Sequence, residues 1–287
     1  MPVPVVKAFF DPATSTASYV AHDSATRAAA IIDPVLDFSP RNARTATRSA
    51  DAMLAYVEQE GLRLEWLLET HAHADHLSAA HYLHEQTGAQ IVIGAAITKV
   101  QEIFAALFEC EDIEADGSQF GRLVNDGDVL PLGELEIRVL HTPGHTPACV
   151  TYLIGDAAFV GDTLFMPDYG TARSDFPGGS AEALYASIRK ILALPPGTRM
   201  FVGHDYLPEG RSEFRWETTV AEQNAENVHV HTGISEDEFV AMRKARDAKL
   251  EAPLLILPSL QVNIRAGALP PASPGGRRYL KLPLNVI

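Results

Sequence analysis

Between positions 71 and 76 the chain reads His71-Ala72-His73-Ala74-Asp75-His76, which places three imidazoles and one carboxylate in six residues. Neutral imidazole nitrogen and carboxylate oxygen suit zinc, iron or manganese, so the chemistry on offer is catalysis at a metal. Three more residues of ligand type stand far downstream: His145, Asp162 and His204. Taken singly, each would be read as a hydrogen-bonded structural residue, and the run as a polar loop rich in histidine. As a set they point to a metal site.

The elements that must position these residues are legible around them. The run follows the apolar stretch Leu64–Leu68, so a strand ending there delivers the run to a sheet edge. His145 follows the alternating segment Leu135–Leu140, a strand, and sits on the turn forced by Pro143-Gly144. Asp162 comes after Ala158-Phe159-Val160-Gly161, and His204 after Met200-Phe201-Val202-Gly203. A strand stopped by Gly and followed by a ligand-type residue thus occurs twice. Loops at strand ends, held by a rigid sheet, are where catalytic groups are commonly carried.

The order His71–His76, His145, Asp162, His204 resembles the metallo-β-lactamase superfamily, over about Phe9 to Gly267. The resemblance implies an αββα sandwich, with two mixed β-sheets flanked by helices and the metal along one sheet edge. Within that superfamily two families compare best. Glyoxalase II enzymes hydrolyse glutathione thioesters with two metals. Persulfide dioxygenases (sulfur dioxygenases) use one ferrous ion and dioxygen to turn glutathione persulfide into sulfite and glutathione. Here Arg173-Ser174-Asp175-Phe176, His204-Asp205-Tyr206 and Asn263-Ile264-Arg265-Ala266-Gly267 resemble the dioxygenase pattern, although the loop from Asp168 to Phe176 departs from the form usual in that family.

Carried over, the resemblance implies Fe(II), one per chain, on His71, His145 and Asp162. Two imidazoles and one carboxylate leave coordination positions for substrate and dioxygen. His73, Asp75, His76 and His204 then surround the ligands, or complete a second metal site in the alternative, a dinuclear glutathione thioester hydrolase with zinc or mixed metals. Another metallo-hydrolase or a non-enzymatic metal-binding module stands further off. Arg173, Tyr206 and Arg265 are candidate substrate-binding residues. Their bland readings are an ion pair with Asp175, half-buried packing and a surface salt bridge. Cys149 is tempting as a sulfur carrier but reads better as a small core residue. His229 and His231 are expected at the surface.

Composition bounds the rest. With 287 residues and 46% hydrophobic content, the chain suits a single domain, residues 1–287, in which 235–287 forms a C-terminal helical segment and an extended tail. A net charge of −14 argues against nucleic acid as a partner, but not against a small anion met by a local cationic pocket. The opening Met1-Pro2-Val3-Pro4 lacks the features of a signal peptide, and two cysteines, Cys110 and Cys149, give no disulfide framework; a cytoplasmic setting without membrane contact is the expectation. Helices are expected over Ala50–Gln59, Leu77–Gln86, Ala181–Leu192 and from Ser235 to about Leu250, the last opened by a capping-box pattern. The apolar tail, Tyr279 to Leu284, should pack on the body or on a second copy in a homodimer.

Overall fold

The structure, a computed structural model, describes residues 3–285. The chain opens with β1 (Val5–Asp11), β2 (Thr16–His22) and β3 (Ala28–Ile32), an antiparallel meander. A short pair, β4 (Val35–Ser39) and β5 (Arg44–Ala46), leads into α1 (Arg48–Gln59). Next, β6 (Arg63–Leu68) lies parallel to β3, and the His-rich run leaves its C-terminal end. After it come β7 (Leu77–Ser78), α2 (Ala80–Thr87), β8 (Gln90–Gly94), α3 (Ile97–Leu107) and β9 (Arg122–Val124). The second half adds β10 (Val129–Leu132), β11 (Leu135–His141), β12 (Val150–Ile154), β13 (Ala157–Gly161), α4 (Ala181–Leu192), β14 (Arg199–Val202) and β15 (Glu217–Thr219). The helices α5 (Val220–Glu226), α6 (Glu236–Asp247) and α7 (Ile256–Asn263) close the order.

Two six-stranded mixed sheets result, ordered β1-β2-β3-β6-β8-β9 and β10-β11-β12-β13-β14-β15, with β5-β4-β7 as a small third sheet. Alternation along the strands builds the layers. Ala28, Ala30, Ile32, Trp66 and Leu68 turn inward against Leu130, Ile137, Tyr152 and Phe159 of the facing sheet. Their neighbours Ala29, Ile31 and Leu67 turn outward under Met53 of α1, Leu83 of α2, Val100 of α3 and Leu260 of α7. On the opposite side Leu184 and Ile188 of α4 and Phe239 of α6 cover Val160 and Val202. The central strands are therefore buried on both faces, which is why they read as continuous apolar runs. This is the αββα sandwich.

Several local expectations shift. Leu77 and Ser78 pair with β4 instead of starting a helix, because the chain leaving the metal loop must first satisfy that edge; α2 begins at Ala80. The helix from Ser235 ends at Asp247, short of Leu250. Neither α3 nor α7 was anticipated. In the tail, Leu280 packs against the core, and the Lys281 backbone clasps the Gln261 side chain through two hydrogen bonds of 2.8 and 2.9 Å. Leu282 and Leu284 stay exposed, at 68% and 81%. No helix among the described residues is long and apolar enough to cross a membrane.

Helix α6 starts from a reciprocal cap: Glu238 N donates to Ser235 Oγ at 3.4 Å, and Ser235 N donates to Glu238 Oε2 at 2.9 Å. Replacing Ser235 with Ala should lower stability by about 1 kcal/mol. Equilibrium denaturation would show this as a reduced midpoint with the slope unaltered.

Candidate metal centre

The two sheets are stitched together where the ligands emerge: Val150 N donates to Thr70 O at 2.9 Å, and Ala17 N to Gly203 O at 2.8 Å. Within the second sheet, Gly203 N donates to Gly161 O at 3.0 Å, tying the ends of β13 and β14. These bonds bring the ends of β6, β12, β13 and β14 to one edge. The two glycines of the strand–Gly–ligand pattern are there because space requires them. A Cβ at Gly203 would stand 2.6 Å from Asp162 Oδ1, and one at Gly161 would stand 2.5 Å from Thr70 Oγ1. A side chain at either site would displace the groups that hold the ligands.

At this edge His71, His145 and Asp162 form one potential ligand group, and His73, Asp75, His76 and His204 a second, each with its ligand atoms within 4.8 Å of one another. Asp162 Oδ2 lies 3.8 Å from His71 Nε2 and 3.6 Å from His145 Nε2, while its Oδ1 lies 3.3 Å from His204 Nε2. Asp75 Oδ2 reaches His204 Nε2 at 3.0 Å. All seven side chains named in the sequence are thus brought together, and all are buried except Asp75, which is partly exposed.

The imidazole tautomers follow from their outer contacts. His145 Nδ1 donates to the Arg173 carbonyl at 2.9 Å, so its Nε2 carries a lone pair. Thr70 Oγ1 gives its proton to Asp33 Oδ2 at 2.8 Å and can only accept from His71 Nδ1, 3.0 Å away, which leaves His71 Nε2 likewise free. His204 Nδ1 donates to the Ser15 carbonyl at 3.3 Å. Burial, then the neighbouring His73 and His145, hold the His71 pKa well below its ordinary value, keeping a neutral, ligand-ready ring.

Two further carboxylates grip the run from behind. His73 Nε2 lies 3.1 Å from Asp33 Oδ1 and 3.2 Å from Glu69 Oε2. Burial opposes protonation of His73, but these two carboxylates outweigh it and raise its pKa well above normal. For Asp75 burial opposes ionisation, and His204 and His76 outweigh that, holding the carboxyl below the usual range.

The residues present fit a bound cation. Nε2 of His71, His76 and His204, with Asp162 Oδ1, are buried without a hydrogen-bond partner. Buried lone pairs of this kind carry a free-energy penalty unless satisfied, and a metal ion at their convergence satisfies several at once.

A cavity of about 440 Å³ opens onto this centre. Asp75, His145 and Asp162 of the centre line it together with Phe165, Tyr169, Arg173, Phe176 and Tyr206, and with Arg246, Leu250 and Leu254 of α6 and the segment after it. Tyr206 stacks on His204 with ring centroids 5.5 Å apart and leans on Tyr169 at 5.1 Å. The loop carrying it is tied by Asp205, which pairs with Arg211 at 2.5 Å and accepts from Arg215 N at 2.6 Å. Arg173 also lines the cavity, but its guanidinium is bidentate on Asp175 at 2.6 and 2.7 Å and donates to the Glu251 carbonyl.

Arg265 is not brought to the cavity. It pairs with Asp112 at 2.7 Å and donates to the Gln261 carbonyl, on the helical side of the sheet. In the segment from Asn263 to Gly267 the residue that matters for the centre is Asn263, which donates to the carbonyls of His73 and His76 at 2.8 Å each and so clamps the metal loop. The sequence flagged this segment but not that role, since nothing local marks a partner nearly two hundred residues away. His229 is buried rather than at the surface, accepting from Thr171 N at 3.1 Å. Burial pushes the Cys149 thiol up to about 12, so it offers no thiolate near neutral pH and behaves as a core residue.

Fold and site together define a metalloenzyme-type centre at the edge of an αββα sandwich. Residues 11–204 match the Metallo-beta-lactamase superfamily, and the chain belongs to it. It is 56% identical to a probable metallo-hydrolase of Burkholderia pseudomallei, over 98% of this chain and 99% of that one. It is 47% identical to Glyoxylase B2 of Dictyostelium discoideum, over 98% and 97%. The mitochondrial persulfide dioxygenase ETHE1 of Bos taurus is 31% identical over 94% and 91%. Among solved structures, ETHE1 from Myxococcus xanthus superposes with a TM-score of 0.73 at 33% identity, covering 92% of this chain and all of that one.

Two substitutions probe how the centre is held. Gly203→Ala should weaken metal retention about 10- to 100-fold by moving the Asp162 carboxylate, read as metal content after dialysis against a chelator series. Asp247 accepts from Ser174 N at 2.9 Å and pairs with the buried Arg243 at 2.7 Å, fixing the loop whose carbonyl holds His145. Asp247→Ala should lower stability by about 3–5 kcal/mol, because it strands a buried guanidinium; a thermal melt within a few degrees of the parent would contradict this.

Proposed function

We propose that the chain is a persulfide dioxygenase that binds one ferrous ion at His71, His145 and Asp162 and oxidises glutathione persulfide, or a related small persulfide, with dioxygen. The overall reaction takes the persulfide, dioxygen and water to the thiol, sulfite and two protons. The terminal sulfur is oxidised, dioxygen is reduced, the sulfur–sulfur bond breaks, and the carrier sulfur leaves as thiol. The observation that carries the reading is the self-contained group of two imidazoles and one carboxylate, drawn from three strand-end loops. That donor set is the one associated with non-haem iron oxygenases. A ferrous ion there would supply the redox chemistry.

The chain's own residues supply the rest. The Arg173 carbonyl orients His145, and the Thr70–Asp33 relay orients His71. The ring of Phe176 packs edge-on against His145 at 5.4 Å, and Phe165 packs edge-on against Tyr206 at 5.8 Å, so aromatic rings line the cavity beside the centre. The likeness to the bovine and Myxococcus ETHE1 proteins supports the assignment.

A second reading is favoured by the group of His73, Asp75, His76 and His204. If that group holds a second ion, Asp162, whose two oxygens lie near His145 and His204, would serve both groups, and the pair of ions would supply the chemistry for hydrolysis of a glutathione thioester. The names of the Burkholderia and Dictyostelium relatives favour this alternative.

Protein reconstituted anaerobically with ferrous iron should retain about one iron per chain. It should take up oxygen and release sulfite with glutathione persulfide, and His145→Ala should abolish both. Two metals per chain with thioester cleavage and no oxygen uptake would replace the proposal with the hydrolase reading.

A further inference from the structure

Charge is unevenly spread along this chain. It holds 37 Asp and Glu against 23 Lys and Arg, yet residues 38–50 and 252–287 contain no acidic residue. The first stretch carries Arg41, Arg44 and Arg48, and the second Arg265, Arg277, Arg278 and Lys281. The fold brings the two stretches together. Phe38, Pro40 and Ala43 of the β4–β5 hairpin line a groove of about 510 Å³ with Tyr279, Leu280 and Leu282 of the tail. Arg278 lines it too, and no carboxylate does so among the described residues.

A recess of about 350 Å³ adjoins the groove, sharing Phe38, Thr45, Leu77 and Leu255 with it, and Arg44 lines this recess. Its two carboxylates are engaged locally: Asp11 accepts from Thr14 Oγ1 at 2.7 Å, and Asp37 from Ser49 N at 3.1 Å. Arg48 pairs with Asp37 at 3.5 Å, but Arg41, Arg44 and Arg277 are exposed and make no ion pair among the described residues. Apolar side chains stand in water beside them. Leu254 is 86% exposed and Tyr279 60%, and both line the groove with the exposed Leu282. Leucines grouped on a surface in this way mark a contact face, whereas scattered ones carry no such meaning.

We propose that this groove docks an acidic polypeptide segment of a partner protein, whose apolar side chains enter the groove while its Asp or Glu residues meet Arg41, Arg44 and Arg277. The proposal is independent of the reaction at the metal. Charge complementarity selects the occupant. A second copy related by a two-fold axis would set this face against itself, cation to cation, with no carboxylate to meet either. A flat anionic membrane would reach the protruding Leu254 and Leu282 but not the buried Leu77 and Leu255, which a single inserted side chain can touch. The strand β5 is also paired only with β4, and the free backbone groups of such an edge suit a polypeptide and not a lipid.

The probe is a displayed library of random peptides about 12 residues long, selected on the metal-loaded full chain. One enriched peptide is then synthesised and its binding read by fluorescence anisotropy. Enriched sequences should combine Asp or Glu with Leu, Ile or Phe. The double variant Arg44→Glu, Arg277→Glu should bind the peptide about tenfold more weakly, and raised salt should weaken binding to the parent. Leu282→Ser should weaken binding while leaving its salt dependence in place. All three positions are exposed and outside the metal centre, so metal content and thermal midpoint should match the parent. Enrichment of basic or uncharged peptides, or undiminished affinity in the double variant, would overturn the proposal. So would binding to phosphatidylglycerol vesicles with no peptide selected, which would make the face a membrane contact. A dimer in sedimentation velocity that Leu282→Ser dissociates would overturn it as well, in favour of an interface between copies.

Discussion

The structure depends on gathering seven ligand-type side chains at one sheet edge, six of them buried, with their lone pairs converging. An unsatisfied buried polar group disfavours folding by roughly 1–3 kcal/mol, and here several occur within one small volume. Such a cluster persists only if the scaffold around it is stiff. The inter-sheet hydrogen bonds at Thr70 and Gly203, with the Gly203–Gly161 bond inside the second sheet, provide that stiffness from the strand side. From the helix side it comes from Asn263, whose single amide holds two carbonyls of the metal loop while its oxygen accepts from Ser78 N at 2.8 Å. The apolar layers exist to keep these bonds in register.

This division of labour explains what could be read in the sequence. Ligand identity is local: an imidazole or a carboxylate after a strand and a glycine is visible in four or five letters, and all seven side chains meet as their spacing suggested. Helix α4, Ala181–Leu192, was legible because Leu184, Ile188 and Ile191 recur at helical spacing, and α6 because its cap is written in Ser235 and Glu238. Helix α7 is not: its apolar residues are crowded, Pro258 in its first turn reads locally as a breaker, and it is stabilised by packing against the sheet rather than by its own pattern.

The arginines show the same limit from the other direction. A guanidinium's role is fixed by whichever carboxylate the fold brings to it, and that partner is seldom near in sequence. Arg265 stands in a motif that suggested substrate, yet Asp112, at 2.7 Å, claims it. Arg173 meets an acid two residues away, and the pair shapes the loop as its bland reading held. Arg246 carried no motif at all, and is the one cavity arginine that the structure leaves without a partner among the described residues.

Helix α6 links these observations. Its Arg243 and Asp247 face inward and fix the loop from Thr171 to Ser174, whose Arg173 carbonyl sets the His145 tautomer. Its Arg246, one turn from Arg243, faces the cavity. A single helix therefore fixes the loop behind His145 through its buried face and presents a cation to the cavity through its open one. The contacts that fix the metal-facing histidines lie on the buried side of the helix, away from its open face. A change there alters what the cavity admits without moving a ligand, whereas a change at Asp247 would disturb both.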